Sequence, residues 1–192
     1  MKYSSFSPIM LIHLATLSIF FIPQIQCTIP KTRLVDQICR KTPHYHLCVL
    51  TLNSHLQYSQ HRRSSVDIAS CARTTIEIVA ANASATLQHV HKVYMQTNDP
   101  QEKNALASCT ASYTKIVKVL LPEAITCMDK GDYKGVKQGV FIAGNLALSC
   151  EKKCKDTNTS SLKDSNRYVE NLCAVAVSIV TKLAQTKPQT LA

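Results

Sequence analysis

The stretch from Cys109 to Cys150 constrains this chain more than any other. It carries two apolar stripes that face each other across a short turn, with a cysteine at each outer end. Going out, Leu106, Cys109, Tyr113, Ile116, Leu120, Ala124 and Cys127 recur at three- and four-residue spacing, which lays one stripe along an α-helix. Coming back, Tyr133, Val136, Val140, Ala143, Ala147, Cys150 and Cys154 repeat the pattern. Between them stands Lys130-Gly131-Asp132: the glycine suits the left-handed position after a helix, and the aspartate accepts hydrogen bonds from the next helix's free N–H groups. An antiparallel helical hairpin follows. With its turn centred near residue 130, Cys109 and Cys150 stand at the same height, within reach of a disulfide.

The compartment is read from the N-terminus. Met1-Lys2, a mostly apolar run from Ile9 to Ile22 and the polar segment up to Cys27 have the layout of a secretory signal peptide, too short for a membrane span. Residues 1–27 are expected to be removed and residues 28–192 to form one domain. Taking Lys2 from the 22 Lys plus Arg, against 12 Asp plus Glu, leaves a charge of about +9, and taking Cys27 from nine cysteines leaves eight. An even cysteine count in an exported chain points to structural disulfides before metal. A basic secreted protein suits acidic partners such as a carboxylate-lined enzyme cleft, a pectic polymer or a membrane surface. Without basic clusters interleaved with aromatics, nucleic acid is not among them.

Helical periodicity runs through the remainder. Leu34 to Leu56 reads as two short helices broken at Thr42-Pro43, since proline lacks a donor and disfavours helix just before itself. Cys39 and Cys48 flank the break, so a disulfide between them would staple a small hairpin. Ser64-Ser-Val-Asp67 has the form of a capping box, and from it Ile68, Ala72, Ile76, Val79, Ala83, Leu87, Val90 and Tyr94 form a long stripe. Asp99-Pro100-Gln-Glu102 starts the next helix, in which Pro122 is expected to make a kink. Ser161-Leu-Lys-Asp164 opens a last helix with the stripe Val169, Leu172, Ala176, Ile179 and Leu183. The fold class is all-α: an up-down-up-down four-helix bundle with an N-terminal helical hairpin appended.

No catalytic constellation is present: there is no Gly-rich phosphate loop, no Gly-x-Ser-x-Gly and no His-Glu-x-x-His. His89 and His91, two apart on a helix, point to different sides. Neither a metal nor a cofactor is expected. Of two sequons, Asn158-Thr-Ser160 lies in a polar stretch and is the preferred glycosylation site, whereas Asn82-Ala-Ser84 falls mid-helix. A cationic helical protein that carries lipid or binds membranes is the distant alternative, although any bundle core needs the same apolar stripes.

Several pieces together resemble the plant invertase and pectin methylesterase inhibitor family. They are Ile38-Cys39 with Thr42-Pro43-His-Tyr45-His-Leu-Cys48, Cys109-x-x-x-Tyr113, Leu121-Pro-Glu-Ala-Ile125, Leu148-Ser-Cys150, and Asn171 in the last helix. The resemblance implies a four-helix bundle with an N-terminal hairpin and disulfides Cys39–Cys48 and Cys109–Cys150. It also implies a secreted non-enzyme that binds one target enzyme and occupies its substrate cleft, in the cell wall or apoplast, with the vacuole as the second destination. Thr-Pro-x-Tyr, Leu-Pro-Glu-Ala-Ile and the following Lys-Gly-Asp look similar to inhibitors of acid invertase (β-fructofuranosidase), and pectin methylesterase is the alternative target. In some invertase inhibitors Pro-Lys-Phe follows Gly-Asp and enters the active site. Here Asp132 is followed by Tyr133-Lys134-Gly135, so the resemblance places target binding on Asp132, Tyr133 and Lys134. Beyond the family's two disulfides, counting residues from the turn near Thr97-Asn98 puts Cys71 level with residues 123–127. A third bridge, Cys71–Cys127, is therefore expected, with Cys154 and Cys173 left outside any intramolecular bridge.

Overall fold

The computed structural model describes residues 31–58, 67–154 and 160–186, and all its elements are helical. The proposed leader lies outside these residues. Helices α1 (Lys31–Cys39) and α2 (Tyr45–Tyr58) form the N-terminal hairpin. The bundle consists of α3 (Ile68–Gln96), a second rod made of α4 (Pro100–Lys115), a π-helical turn (Ile116–Leu120) and α5 (Leu121–Asp129), then α6 (Tyr133–Lys153) and α7 (Ser160–Thr186). Each rod packs on its sequence neighbours, and α7 closes the ring against α3, while α1 and α2 lean on α3 and α7. This is the up-down-up-down arrangement that short links between amphipathic helices favour.

The caps explain where the helices begin. Asp67 is the N-cap of α3: its carboxylate accepts from the Ser70 N–H at 2.7 Å, and the Ser70 hydroxyl receives the Asp67 N–H in return. The capping box thus sits three residues later than Ser64–Asp67, because Asp67 is the cap and not the box's closing acid. Asp99 caps α4 with Pro100 in the first turn, and its carboxylate accepts from the Gln101 N–H. At the hairpin, Tyr45 donates to Asp36 at 2.7 Å and the Arg40 guanidinium donates to the same carboxylate at 2.8 Å. Those bonds, Arg40 first, hold the Asp36 carboxyl below the usual carboxylate range. A depressed carboxyl keeps its stabilising charge above its ordinary pKa and loses it only as pH falls through the lowered value. The Tyr45–Asp36–Arg40 latch is therefore unchanged between pH 7 and pH 5.

The expected kink at Pro122 takes another form. Proline has no N–H for the carbonyl four residues back, and its ring crowds that carbonyl. The chain widens by one π turn just before it, with the Leu121 N–H donating to Ile116 O. A π turn inserts one residue into the helical phase, about 100° of rotation downstream. Leu120 and Leu121 are consequently both buried, the stripe continues through Ala124 to Met128, and Cys127 is turned to the flank.

One buried polar pair crosses the core. The Tyr113 hydroxyl, fully buried, donates to Asn166 Oδ1 at 2.7 Å, while Asn166 Nδ2 has no partner among the described residues. Removing the phenol would strand the rest of the carboxamide. Tyr113→Phe is expected to cost about 1–3 kcal/mol in urea denaturation, and Tyr113→Phe with Asn166→Leu to recover most of it, because deleting both partners leaves nothing unsatisfied. A double variant no more stable than the single one refutes this account.

Candidate functional site: the tip of the central hairpin

The tip is built by one glycine and one aspartate. Gly131, at φ 73°, is the only positive-φ residue among those described. Its N–H donates to Met128 O at 3.1 Å and the Asp132 N–H to Cys127 O at 2.9 Å, which is the paired pattern of a Schellman closure. Asp132 then starts α6 as N-cap, accepting from the Gly135 N–H at 2.9 Å. The turn thus ends one helix and starts the next within three residues. A Cβ at Gly131 would meet nothing within 4 Å, so Gly131→Ala isolates the backbone cost of the left-handed conformation. It is expected to lower stability by about 1–2 kcal/mol, and Gly131→Asn by less. Equal urea midpoints for wild type and Gly131→Ala would contradict the assignment.

Gly135 answers to a different constraint. A Cβ there would stand 2.4 Å from Asp132 Oδ2 and 2.8 Å from Cys127 Sγ. Glycine therefore lets the capping carboxylate and the Cys127 thiol close over the first turn of α6. At the position where some invertase inhibitors carry an aromatic ring, this chain has a tightened turn.

Of the three expected contact residues, Lys134 and Asp132 are exposed and Tyr133 is half-buried, its ring packed against the core. None of the ion pairs among the described residues uses Lys134. Asp129, by contrast, is paired with Arg73 of α3, which ties the tip to the neighbouring rod. The tip presents an ammonium two positions beyond a rigid turn, flanked by Lys130 and Lys137.

The described cysteines fall into two bridges and four residues outside them. Cys39–Cys48 and Cys109–Cys150 are bonded, with Cα separations of 5.5 and 5.0 Å. Cys71–Cys127 is not formed. The π turn accounts for this: it rotates Cys127 so that its sulfur lies beside Gly135 of α6, away from α3. Cys71 remains a buried thiol whose pKa burial pushes up to about 12, and Cys173 is pushed up to about 12 in the same way. Asn158 lies outside the described residues. Asn82 is half-buried on α3 with its Nδ2 donating to Ile78 O, so the nitrogen that a glycan would need is turned back onto the helix.

An open groove of about 450 Å3 between α3 and α7 is lined by Asn82, Thr86, His89, Asp164 and Tyr168. It is open to solvent and lined mostly by polar residue types, without the enclosure that a lipid chain requires. The Tyr113–Asn166 pair and the Asp36–Tyr45 latch were not anticipated from the sequence. Their signals were an asparagine and a tyrosine inside otherwise apolar stripes, and an acid nine residues before a tyrosine across a stapled break.

Compared with known proteins, residues 33–179 match the family model described as plant invertase/pectin methylesterase inhibitor. The chain is 31% identical over 140 residues, 72% of its length, to a cell wall/vacuolar inhibitor of fructosidase from Arabidopsis thaliana, and spans 65% of that relative. It is 28% identical over 151 residues to a pectinesterase inhibitor of the same plant, covering 78% of this chain and 81% of that one. Among solved structures it is similar to a mutant form of a pectin methylesterase inhibitor from Arabidopsis, at a TM-score of 0.67 and 27% identity, covering 77% of this chain and 95% of that one. These relatives are named as inhibitors, not as enzymes.

Proposed function

Since this chain belongs to the plant invertase/pectin methylesterase inhibitor family, we propose that it is a secreted inhibitor of an acid invertase, bound one to one with the hairpin tip in the enzyme's substrate cleft. The observation that carries this reading is the tip itself: Lys134 stands exposed and outside the ion pairs of the described residues, on a turn closed by Gly131 and capped by Asp132. A glycosidase cleft works through a pair of carboxyl groups, and a lysine held out on a rigid support is a complementary charge. The charge of about +9 that remains once residues 1–27, and Lys2 with them, are taken from the 22 Lys plus Arg and 12 Asp plus Glu favours approach to such a surface. The likeness to a named fructosidase inhibitor supports the same target. Pectin methylesterase is the second reading, favoured by the likeness to solved inhibitors of that enzyme. The cell wall or apoplast is the proposed destination, with the vacuole second, and Asn158 is the proposed glycosylation site.

Titration of the purified protein against an acid invertase and against a pectin methylesterase tests the assignment. Full inhibition of invertase at one equivalent, with pectin methylesterase unaffected, is the expected outcome. The reverse pattern establishes the second reading. Turnover of sucrose or pectin by the protein alone would refute both.

A further inference from the structure

Three buried sulfur atoms meet where α4 passes the last turn of α6. The Sγ atoms of Cys109, Cys150 and Cys154 all lie within 4.8 Å of one another. Cys109 and Cys150 are bonded, and the sulfur of Cys154 sits 3.6 Å from that of Cys109. The sequence dictates this approach. Cys150 and Cys154 are four residues apart, hence on one face of a helix, and Cys154 still donates its N–H to Cys150 O at the C-cap. Whatever Cys150 faces, Cys154 faces one turn further on. While the bridge stands, two of the three sulfurs lack the thiolate form that a metal would need, so the chemistry open to this cluster is that of a thiol beside a disulfide.

We propose that Cys109, Cys150 and Cys154 form a thiol–disulfide exchange site, in which the bridge from Cys109 passes between Cys150 and Cys154. In the forward step the Cys154 thiol gives its proton to water, and the thiolate attacks Cys109 Sγ. The Cys154–Cys109 bond forms as the Cys109–Cys150 bond breaks. The electron pair of the broken bond leaves on Cys150 Sγ, which takes up a proton. One disulfide and one thiol enter the step and one of each leaves it, so no oxidant or reductant is consumed.

The geometry also says what must move. Displacement at sulfur is in line, with the attacking and leaving atoms on opposite sides of Cys109 Sγ. All three sulfurs fit within 4.8 Å, less than the two Cys109 separations laid end to end. Cys154 therefore lies to the side of the bond and swings about its side chain before attack. It is the capping residue of α6, with its N–H still bonded to Cys150 O, and helix ends are where conformational freedom concentrates.

The other thiols stand apart. Cys71 lies on α3, Cys173 packs against Gly144 in mid-bundle, and Cys127 lies by Gly135 at the opposite end of α6. Exchange thus has one direction to go. In either state α4 remains stapled to α6, through the body of the helix by Cys150 or through its cap by Cys154, and the thiol left over can reopen the bridge.

The test uses the full chain, isolated without reductant and held folded at pH 8. Aliquots are quenched in acid, unfolded in excess N-ethylmaleimide at mildly acidic pH, and digested with trypsin. Cleavage after Lys152 or Lys153 places Cys150 and Cys154 on separate peptides. The expected result is two linked pairs, Cys109–Cys150 with maleimide on Cys154, and Cys109–Cys154 with maleimide on Cys150, reaching a constant ratio with time. Cys109 joined to Cys150 alone at every time point overturns the proposal. So does Cys109 joined to Cys71, Cys127 or Cys173 in amounts like those to Cys154, because that is scrambling of unfolded chain.

Discussion

Replacing Cys109 with serine is expected to destabilise the bundle by about 4 kcal/mol, the chain-entropy value for a closed loop of this size. The bridge it removes spans 41 residues, against nine for Cys39–Cys48, where the same relation gives roughly 2.5 kcal/mol. Domains of this size lose roughly 2–4 °C of Tm per kcal/mol, so the transition should fall by roughly 8–16 °C. Cys109 is the informative position because it is the shared partner. Its loss removes the α4–α6 staple whichever cysteine of α6 holds the other end, whereas Cys150→Ser leaves Cys154 to take over the bridge and should cost less. Thermal unfolding of the two variants, each free of reductant, decides the matter. Equal losses would mean that Cys154 does not substitute, and a Cys109→Ser variant as stable as wild type would mean that the staple contributes nothing.

How far the fold could be read from the sequence depends on the kind of signal. The stripes of α3, α6 and α7 were legible because burial on a helix repeats every three to four residues. Ala72, Ile76, Val79, Ala83 and Val90 are buried as that period requires, and so are Val136, Val140, Ala143 and Ala147. The Gly131–Asp132 turn was legible because only glycine takes that φ without cost and an aspartate beside it caps. Periodicity fails where the backbone changes its own period. Pro122 signals a disturbance without saying whether the helix bends or widens, and the π turn that forms changes the helical phase over the rest of that rod. That change of phase exchanged Met128 for Cys127 in the core and removed the basis for a Cys71–Cys127 bridge. Contacts across the bundle were legible only where a residue type stood out against its stripe. Cys154 was such a case, one turn beyond Cys150, but its nearness to Cys109 depends on the exact pitch of two packed helices.

Lys134→Ala is expected to weaken inhibition of the target enzyme by about 2–5 kcal/mol, roughly 30-fold to several thousand-fold at 1.4 kcal/mol per tenfold, with the unfolding transition unchanged. Stability should not move, because the ammonium is exposed and outside the ion pairs of the described residues. Its neighbours are less clean probes. Asp132 holds the Gly135 N–H, so its removal forfeits a cap worth about 1 kcal/mol, and Tyr133 already spends part of its ring on the core. The tip suits binding because its conformation is set in advance: the Schellman closure, the Asp132 cap and the Arg73–Asp129 pair leave little backbone freedom to lose on docking. Salt then separates two roles for Lys134. A charge at the rim of an interface acts through screened attraction, so the difference between wild type and Lys134→Ala would fade as ionic strength rises. A charge desolvated against cleft carboxylates is screened far less, so the difference should persist in high salt and appear mainly in the dissociation rate. An inhibition constant unchanged by Lys134→Ala, at low salt and high, would place the contact elsewhere on the bundle.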